Sequence, residues 1–196
     1  MPLLAVFAAS LLLAWLGGAS PLALGAVRLR WLPLPFLALA LQWIAFGPPG
    51  AGAGGAALAW QLLGGALLLT FLLGNLRYRS LGVVAAGAAL NLLVAGLNGG
   101  YMPARPADAR AAGMPQVAIA LERDGRFQKT GRLDDATRLP FLADVIRLPT
   151  PGPGPDRLIS IGDLLVGAGA FLFVQEALGP FGRRRGRATQ AAAYNR

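Results

Sequence analysis

The sequence predicts an all-α integral membrane protein, a bundle of five transmembrane helices with a small extracytoplasmic segment between helices 4 and 5. Of its 196 residues, 55% are hydrophobic and only 14% are charged, whereas a soluble domain carries about 25% charged residues. All nine acids lie at Asp108 or later, and the first 100 residues contain four charged side chains, Arg28, Arg30, Arg77 and Arg79. Such a stretch has too few polar groups to cover itself, so we expect lipid to be its solvent.

Five apolar segments come close to the length that a membrane crossing requires, which is roughly 17 to 25 residues. They cover residues 3–19, 31–46, 56–76, 81–98 and 159–178. The second is short because Pro33 and Pro35 suit the first turn of a helix and not its interior. Trp31 and Trp43 are spaced to mark its two interfaces with water. The first segment lacks the basic start of a cleaved signal peptide, so we expect it to stay as a helix.

Basic residues indicate how the chain is threaded. Arginines lie between the first and second segments, between the third and fourth, and after the fifth, where residues 179–196 form a basic tail. With five crossings these regions share one side, which the positive-inside rule places in the cytoplasm. We therefore expect an inner (plasma) membrane protein with its N-terminus outside and its C-terminus cytoplasmic. The net charge of +9 indicates contact with anionic headgroups; no nucleic-acid motif accompanies it, so no nucleic-acid partner is expected.

The residue inventory excludes several chemistries. The chain contains no cysteine and no histidine. Disulfides, thiolate or imidazole nucleophiles, zinc sites of the usual kind and Ser–His catalysis are therefore excluded. No catalytic residue, cofactor or metal site is predicted.

Residues 99–158, which we call the outer segment, contain three predicted features. Residues 106–113 have proline at the start and glycine at the end of a short helix. Residues 116–128 combine β-branched residues with an Asp-Gly turn and predict a small hairpin. Residues 139–148 place apolar side chains on one helical face, which predicts a short amphipathic helix. We expect residues 137–148 to dock onto the outer ends of helices 4 and 5; the alternative is a helix that lies beside the bundle and contacts lipid alone.

Two stretches are predicted to meet at the outer ends of helices 4 and 5. Asn98-Gly99-Gly100 suits a helix C-terminus, because glycine adopts the positive φ that closes the last turn. Ser160 and Asp163 have the spacing of a capping box, although an acid within a transmembrane helix is also a functional hypothesis by default. Both interpretations of Asp163 stay open here.

Polar side chains elsewhere in the apolar segments have two interpretations. Asn91 lies seven residues before Asn98 and thus on the same helical face, while Gln42, Gln61, Thr70 and Asn75 occupy other segments. Such groups usually hydrogen-bond between helices. The alternative is a row that contacts a substrate.

The chain resembles a bacterial family of small multi-pass membrane proteins, domain of unknown function 5317. The resemblance is carried by "LNGGYMP" (97–103), "TRLPFLADVIRLP" (137–149) and "SIGDLLVGAG" (160–169), in this order, and extends to about residue 178. It implies a multi-pass architecture and the importance of these motifs, and it supplies no activity. With Asn91 and Tyr101 added to the matching positions, the candidate functional cluster is Asn91, Asn98, Gly99, Gly100, Tyr101, Met102, Pro103, Thr137, Asp144, Ser160, Gly162 and Asp163.

Three classes of function remain open. The sequence favours a non-enzymatic accessory or interaction subunit of a membrane complex, which binds a protein partner or itself through small-residue helix faces. The second is a small transporter or lipid-handling protein that uses Asp163 with Asn91 and Asn98. The third is a membrane enzyme acting on a lipid or cell-wall precursor, in which Asp144 and Asp163 act as a close pair of acids or with a hard cation such as Mg²⁺.

Overall fold

The protein is mostly helical, as predicted. Its computed structural model describes residues 2–46, 56–150, 152 and 154–178, so the loop 47–55 and the basic tail 179–196 lie outside the described residues. The α-helices are α1 (Pro2–Leu16), α2 (Pro33–Phe46), α3 (Ala57–Leu73), α4 (Arg79–Leu97), α5 (Pro106–Ala111), α6 (Pro115–Asp124) and α7 (Ile161–Leu178). The strands are β1 (Met102–Ala104), β2 (Arg126–Phe127), β3 (Thr130–Arg132), β4 (Ile146–Leu148) and β5 (Arg157–Ile159). The outer segment, for which one small hairpin was predicted, contains β1 to β4 and the start of β5, so it has more strand than predicted.

The five apolar helices pack in the order α2, α3, α4, α7 and α1, each against the next. Helices α4 and α7 are antiparallel, because Asn91 contacts Asp163 at the start of α7 while Ser80, at the start of α4, contacts Glu176 near the end of α7. Their backbones approach closely: a Cβ added to Gly87 would overlap the carbonyl oxygen of residue 162. Small residues thus serve packing between α4 and α7.

Contacts at the helix ends fix the other directions. Ser10 Oγ donates to the Phe171 carbonyl at 2.8 Å, and the later Ala19 clusters with Leu178, so α1 and α7 run in parallel. The Asn75 side chain accepts the Arg30 N–H at 2.7 Å and donates to the Arg30 carbonyl at 2.9 Å. The α1–α2 and α3–α4 connections, which carry the first two basic regions, therefore lie at the same end of the bundle.

Among the described residues, two helices are long and apolar enough to cross a membrane, α4 with 19 residues and α7 with 18. The predicted crossings 3–19, 31–46 and 56–76 correspond to α1, α2 and α3, which are apolar but have 15, 14 and 17 residues. Helix α2 begins at Pro33, as its two prolines predicted. Five crossings therefore go beyond what helix length alone supports.

The hairpin predicted at 116–128 is wrong. Helix α6 occupies most of this stretch and ends where Gly125 adopts a φ of 72°. Ala118 and Leu121 are fully buried, and this spacing of three is helical, so burial on one helix face outweighs the β-branched residues. The hairpin lies further along, where β2 and β3 pair antiparallel and β1 joins β3 in parallel. The predicted short helix at 106–113 is confirmed as α5, followed by a positive φ at Gly113.

The amphipathic helix predicted at 139–148 is also wrong. Leu139 has a φ of 54°, residues 140–142 form a single 3-10 turn, and β4 pairs antiparallel with β5. A residue before proline avoids the helical region, which disrupts the predicted helix at Leu139. Docking onto α4 is confirmed, because the 3-10 turn contacts that helix. Phe141 nevertheless remains 64% exposed.

Candidate functional site

The start of α7 is held by the predicted capping box. The Asp163 N–H donates to Ser160 Oγ at 3.0 Å, and the Ser160 N–H donates to Asp163 Oδ2 at 3.2 Å. Two amides of the first turn are satisfied in this way, and the acid lies at the positive end of the helix dipole. The capping role of Asp163 is confirmed.

Asn91 extends this box across to α4. Its Nδ2 donates to Asp163 Oδ1 at 2.8 Å, and its Oδ1 accepts the Ser160 hydroxyl at 2.8 Å. Ser160 is fully buried, and a Cβ added to Gly162 would overlap Asn91 Oδ1. Gly162 is therefore required for the side chain of Asn91 to reach both partners. Ser160, Asp163 and Asn91 form a closed hydrogen-bonded triad.

A cavity of about 430 Å³ adjoins the triad; we call it the interhelical cavity. Its walls come from α2, α3, α4 and α7, and parts of the outer segment lie over it. Leu39, Leu68, Leu92 and Val166 supply apolar surface. The polar side chains that line it are Gln42, Gln61, Asn91, Lys129, Asp144 and Asp163. Apolar walls with a few polar groups are typical of small-molecule sites.

Asp144 is the carboxylate of the cavity that lacks a partner. Its N–H donates to the Pro103 carbonyl at 3.0 Å, which places Asp144 beside the turn that follows α4. Its Oδ1 is buried and accepts no hydrogen bond among the described residues. Burial, together with the charge of Asp163, raises the pKa of Asp144 from 3.8 to about 7, while Lys129 acts in the opposite direction. Asp144 thus changes charge near neutral pH.

Lys129 lines the cavity but is not among the predicted site residues. This residue lies in the turn between β2 and β3, and its carbonyl oxygen accepts the Met102 N–H at 2.9 Å. It is exposed and also lines the cavity, so it lies where the cavity meets solvent. No described residue forms an ion pair with it. It is the sole lysine of a chain rich in arginine, and this composition was the available signal.

The structure places ten of the twelve candidate residues at two pockets, while Ser160 and Gly162 line neither pocket and support the position of Asn91. Gly100 and Met102 line the interhelical cavity together with Asn91, Asp144 and Asp163. A second, outer pocket of about 380 Å³ is lined by four further residues of the 97–103 motif and one residue of the 137–149 motif. These residues are Asn98, Gly99, Tyr101, Pro103 and Thr137. The predicted convergence of the α4 exit and the α7 entry is therefore correct for part of the cluster.

Asn91 and Asn98 do not form one row. Asn98 ends α4, where its Nδ2 donates to the carbonyls of Val94 and Arg138 at 2.7 and 3.0 Å. Its Oδ1 accepts the Arg138 N–H at 2.9 Å. The positive φ of Gly99 and Gly100 confirms the predicted helix end. Asn98 thus closes the helix and anchors the outer segment, whereas Asn91 faces the cavity.

Of the four polar residues Gln42, Gln61, Thr70 and Asn75, three connect neighbouring elements. Gln42 Nε2 on α2 donates to Gln61 Oε1 on α3 at 3.2 Å, and Asn75 links the two connections described above. Thr70 instead donates to the Ala66 carbonyl of its own helix. The prediction that polar groups link helices is confirmed for Gln42 and Gln61, whereas Asn75 links two connections and Thr70 bonds within α3.

Comparison with known families gives one match. A family described as a family of unknown function (DUF5317) matches residues 26–175. This range contains α2 to α6, the whole outer segment and most of α7, and it leaves out α1. Comparison with curated proteins and with solved structures finds no match.

Proposed function

The chain belongs to the DUF5317 family of unknown function, and from its own residues we propose that it is a multi-pass membrane protein that binds a small polar or amphipathic ligand in the interhelical cavity. It is a small transporter or lipid-handling protein and not only an accessory subunit. The observation that carries this proposal is the carboxylate of Asp144, which lines a cavity with mainly apolar walls and accepts no hydrogen bond from any described residue. Buried polar atoms of a purely structural network find partners.

The five apolar helices are proposed to cross the membrane. Each one has large apolar side chains that are about half exposed or more, for example Leu16 (69%), Leu39 (68%), Leu63 (48%), Leu93 (48%) and Leu172 (47%). Exposure of an apolar surface of this extent is unfavourable in water but not in lipid. Helices α1 to α3 are shorter than a typical crossing, and a bilayer accommodates short helices by local thinning.

The proposed orientation has the N-terminus outside and the C-terminus in the cytoplasm of the inner membrane. The shared end of the α1–α2 and α3–α4 connections supports it, because their arginines then face the cytoplasm together. The interhelical cavity accordingly opens beneath the outer segment, on the extracytoplasmic side.

Cysteine labelling tests this orientation, since the chain contains no cysteine. Gly25→Cys and Leu76→Cys probe the proposed cytoplasmic end, and Arg123→Cys and Asp135→Cys probe the outer segment; all four positions are exposed. In intact cells a membrane-impermeant maleimide should label the second pair alone, and permeabilisation should expose the first pair. Labelling of Gly25→Cys in intact cells would contradict the orientation.

The two other functions have weaker support. A partner-binding role would use small-residue faces, but those of α4 and α7 pack against each other within the chain. An enzymatic role would need a second free acid or a metal, but both oxygens of Asp163 accept hydrogen bonds. The described residues also contain no group of three or more acids that could hold a metal ion.

Ligand binding is tested with two adjacent positions on α4. Ala88 lines the cavity, whereas its neighbour Ala89 is exposed and does not. The full chain, extracted with its surrounding lipid, should carry a bound molecule in native mass spectrometry. Ala88→Leu fills the cavity and should lose that molecule, whereas the control Ala89→Leu should retain it. Equal occupancy in the two variants, or no bound molecule in the unmodified protein, would overturn the proposal.

A further inference from the structure

We propose that the ligand of the interhelical cavity is zwitterionic, with a protonated amine that faces Asp144 and a phosphate or carboxylate that faces Lys129. This inference rests on the proposed function, because it names the chemistry of the ligand in that same cavity. Two carboxylates and one ammonium group line the cavity, and among these groups Asp144 and Lys129 are the two that form no hydrogen bond or ion pair through their side chains with any described residue.

The two acids of the cavity differ in how far the protein satisfies them. Asp163 accepts hydrogen bonds from Asn91 and from the Ser160 amide, at a helix N-terminus that favours negative charge. Asp144 has a buried oxygen without any donor. Asp144 also lines the cavity, so we assign its carboxylate, and not that of Asp163, as the acceptor for a ligand amine.

Lys129 supplies the opposite charge. It belongs to the β2–β3 turn, whereas Asp144 follows the 3-10 turn at residues 140–142, so two separate loops bring the charges to one cavity. Lysine is a flexible point charge that suits phosphate and carboxylate groups. Lys129 and Asp144 are both free to bind, because neither forms an ion pair with any described residue.

A ligand with a single charge meets only half of this arrangement. A cation is attracted to Asp144 and repelled by Lys129, and an anion experiences the reverse. A zwitterion in the right orientation satisfies both groups and adds no net charge to a partly apolar cavity. The apolar wall of Leu39, Leu68 and Leu92 accommodates an acyl chain, so the same headgroup chemistry has two sources, a membrane lipid or a soluble molecule.

The test uses the full chain, purified and delipidated in a maltoside detergent. Soluble probes are phosphoethanolamine, ethanolamine and glycerol 3-phosphate, measured by calorimetry. Lipid probes are phosphatidylethanolamine and phosphatidylglycerol, measured by native mass spectrometry. In each set we expect the probe that carries both an amine and a phosphate to bind at least about tenfold more tightly than the probes that carry only one of these groups. Preference for phosphoethanolamine identifies a soluble source, and preference for phosphatidylethanolamine alone identifies a lipid source; both support the proposal.

Two charge-neutralising variants assign the groups. Asp144→Asn should bind glycerol 3-phosphate as tightly as phosphoethanolamine. If the lipid probes are the ones that bind, this variant should bind phosphatidylglycerol as tightly as phosphatidylethanolamine. Lys129→Gln should lose the contribution of the phosphate to zwitterion binding. The controls Arg123→Gln and Asp124→Asn remove charges from an exposed ion pair of the outer segment and should keep the preference. A cooperative melting transition shows that each variant is folded.

The outcomes separate this inference from the proposed function. The proposal of a zwitterionic ligand is overturned if a probe with only an amine or only a phosphate binds as tightly as the probe with both groups. It is also overturned if the preference is unchanged in both Asp144→Asn and Lys129→Gln. If no probe binds but a molecule is still lost in Ala88→Leu, the cavity binds a ligand of another class, and only this inference fails. If no probe binds and no cavity molecule is found, both fail.

Discussion

Replacing Asn91 with leucine should lower the free energy of unfolding by more than most single substitutions do. Leucine has nearly the shape of asparagine but neither donates nor accepts a hydrogen bond. The substitution removes the 2.8 Å bond to Asp163 Oδ1 and the 2.8 Å bond from the Ser160 hydroxyl. A neutral hydrogen bond contributes about 0.5 to 1.5 kcal/mol and one to a charged group about 1.5 to 3 kcal/mol. We expect the free energy of unfolding to fall by about 2 to 4 kcal/mol.

Denaturant titration of the full chain in mild detergent measures this loss. Gln42→Leu is the matched control, because it removes one neutral bond of 3.2 Å between α2 and α3 and should cost about 1 kcal/mol. Ser160→Ala combined with Asn91→Leu should cost less than the sum of the single changes, since the two residues share a bond. A loss for Asn91→Leu no larger than that for Gln42→Leu would refute the role of the triad.

Three further predictions concern the same framework. Gly162→Ala places a Cβ against Asn91 and the backbone of α4 and should lower the free energy of unfolding by about 1 to 3 kcal/mol. The control Gly82→Ala meets only an ordinary contact at 3.6 Å and should stabilise α4 by about 0.5 to 1 kcal/mol. Equal effects of the two substitutions in denaturant titrations would contradict the close approach of α4 and α7. Glu176→Ala removes the acceptor of two α4 amides and the Ser80 hydroxyl and should lower the free energy of unfolding by about 2 to 4 kcal/mol. An unchanged titration midpoint would show that α4 does not need Glu176 to cap its first turn. The pKa of Asp144 is about 7 in the folded protein against an ordinary 3.8. Between these two pH values the folded state binds more protons than the unfolded state. The contribution of this residue to stability therefore falls as pH rises from about 4 to about 7. Asp144→Asn should remove that decline in a series of melting curves from pH 4 to pH 8, and an identical decline in the variant would exclude Asp144 as its source.

Local signals predicted the parts of the fold that depend on the chain's own turns. Ser160 and Asp163 carried the spacing of a capping box, and Gly99 and Gly100 carried the conformational freedom that a helix end needs. Both features appear as predicted because the atoms that satisfy them lie within a few residues. Pro33 likewise marked the start of α2, since proline in the first turn leaves no intrahelical bond unmade.

The outer segment was predicted poorly because tertiary contacts decide its structure. In α6, burial of Ala118 and Leu121 overrides the β-branched residues between Pro115 and Asp124. Val145 and Ile146 fit a helical face equally well, but β5 follows after eight residues and pairs with β4 instead. Lys129 reaches the cavity only because the β2–β3 turn folds over the helices. No sequence period records these contacts between elements.

Three carboxylates distinguish the framework of the protein from its site. Glu176 near the end of α7 caps the start of α4, and Asp163 at the start of α7 caps its own helix and binds Asn91 of α4. The antiparallel α4–α7 pair is therefore joined by a satisfied carboxylate at each end, which is how a structural acid is used in an apolar environment. Asp144 belongs to the outer segment, shares the cavity with Asp163 and leaves one buried oxygen without a donor. An acid kept in that state is costly to the fold alone, and this cost is the physical reason to place ligand binding at Asp144 and support of the fold at Asp163 and Glu176.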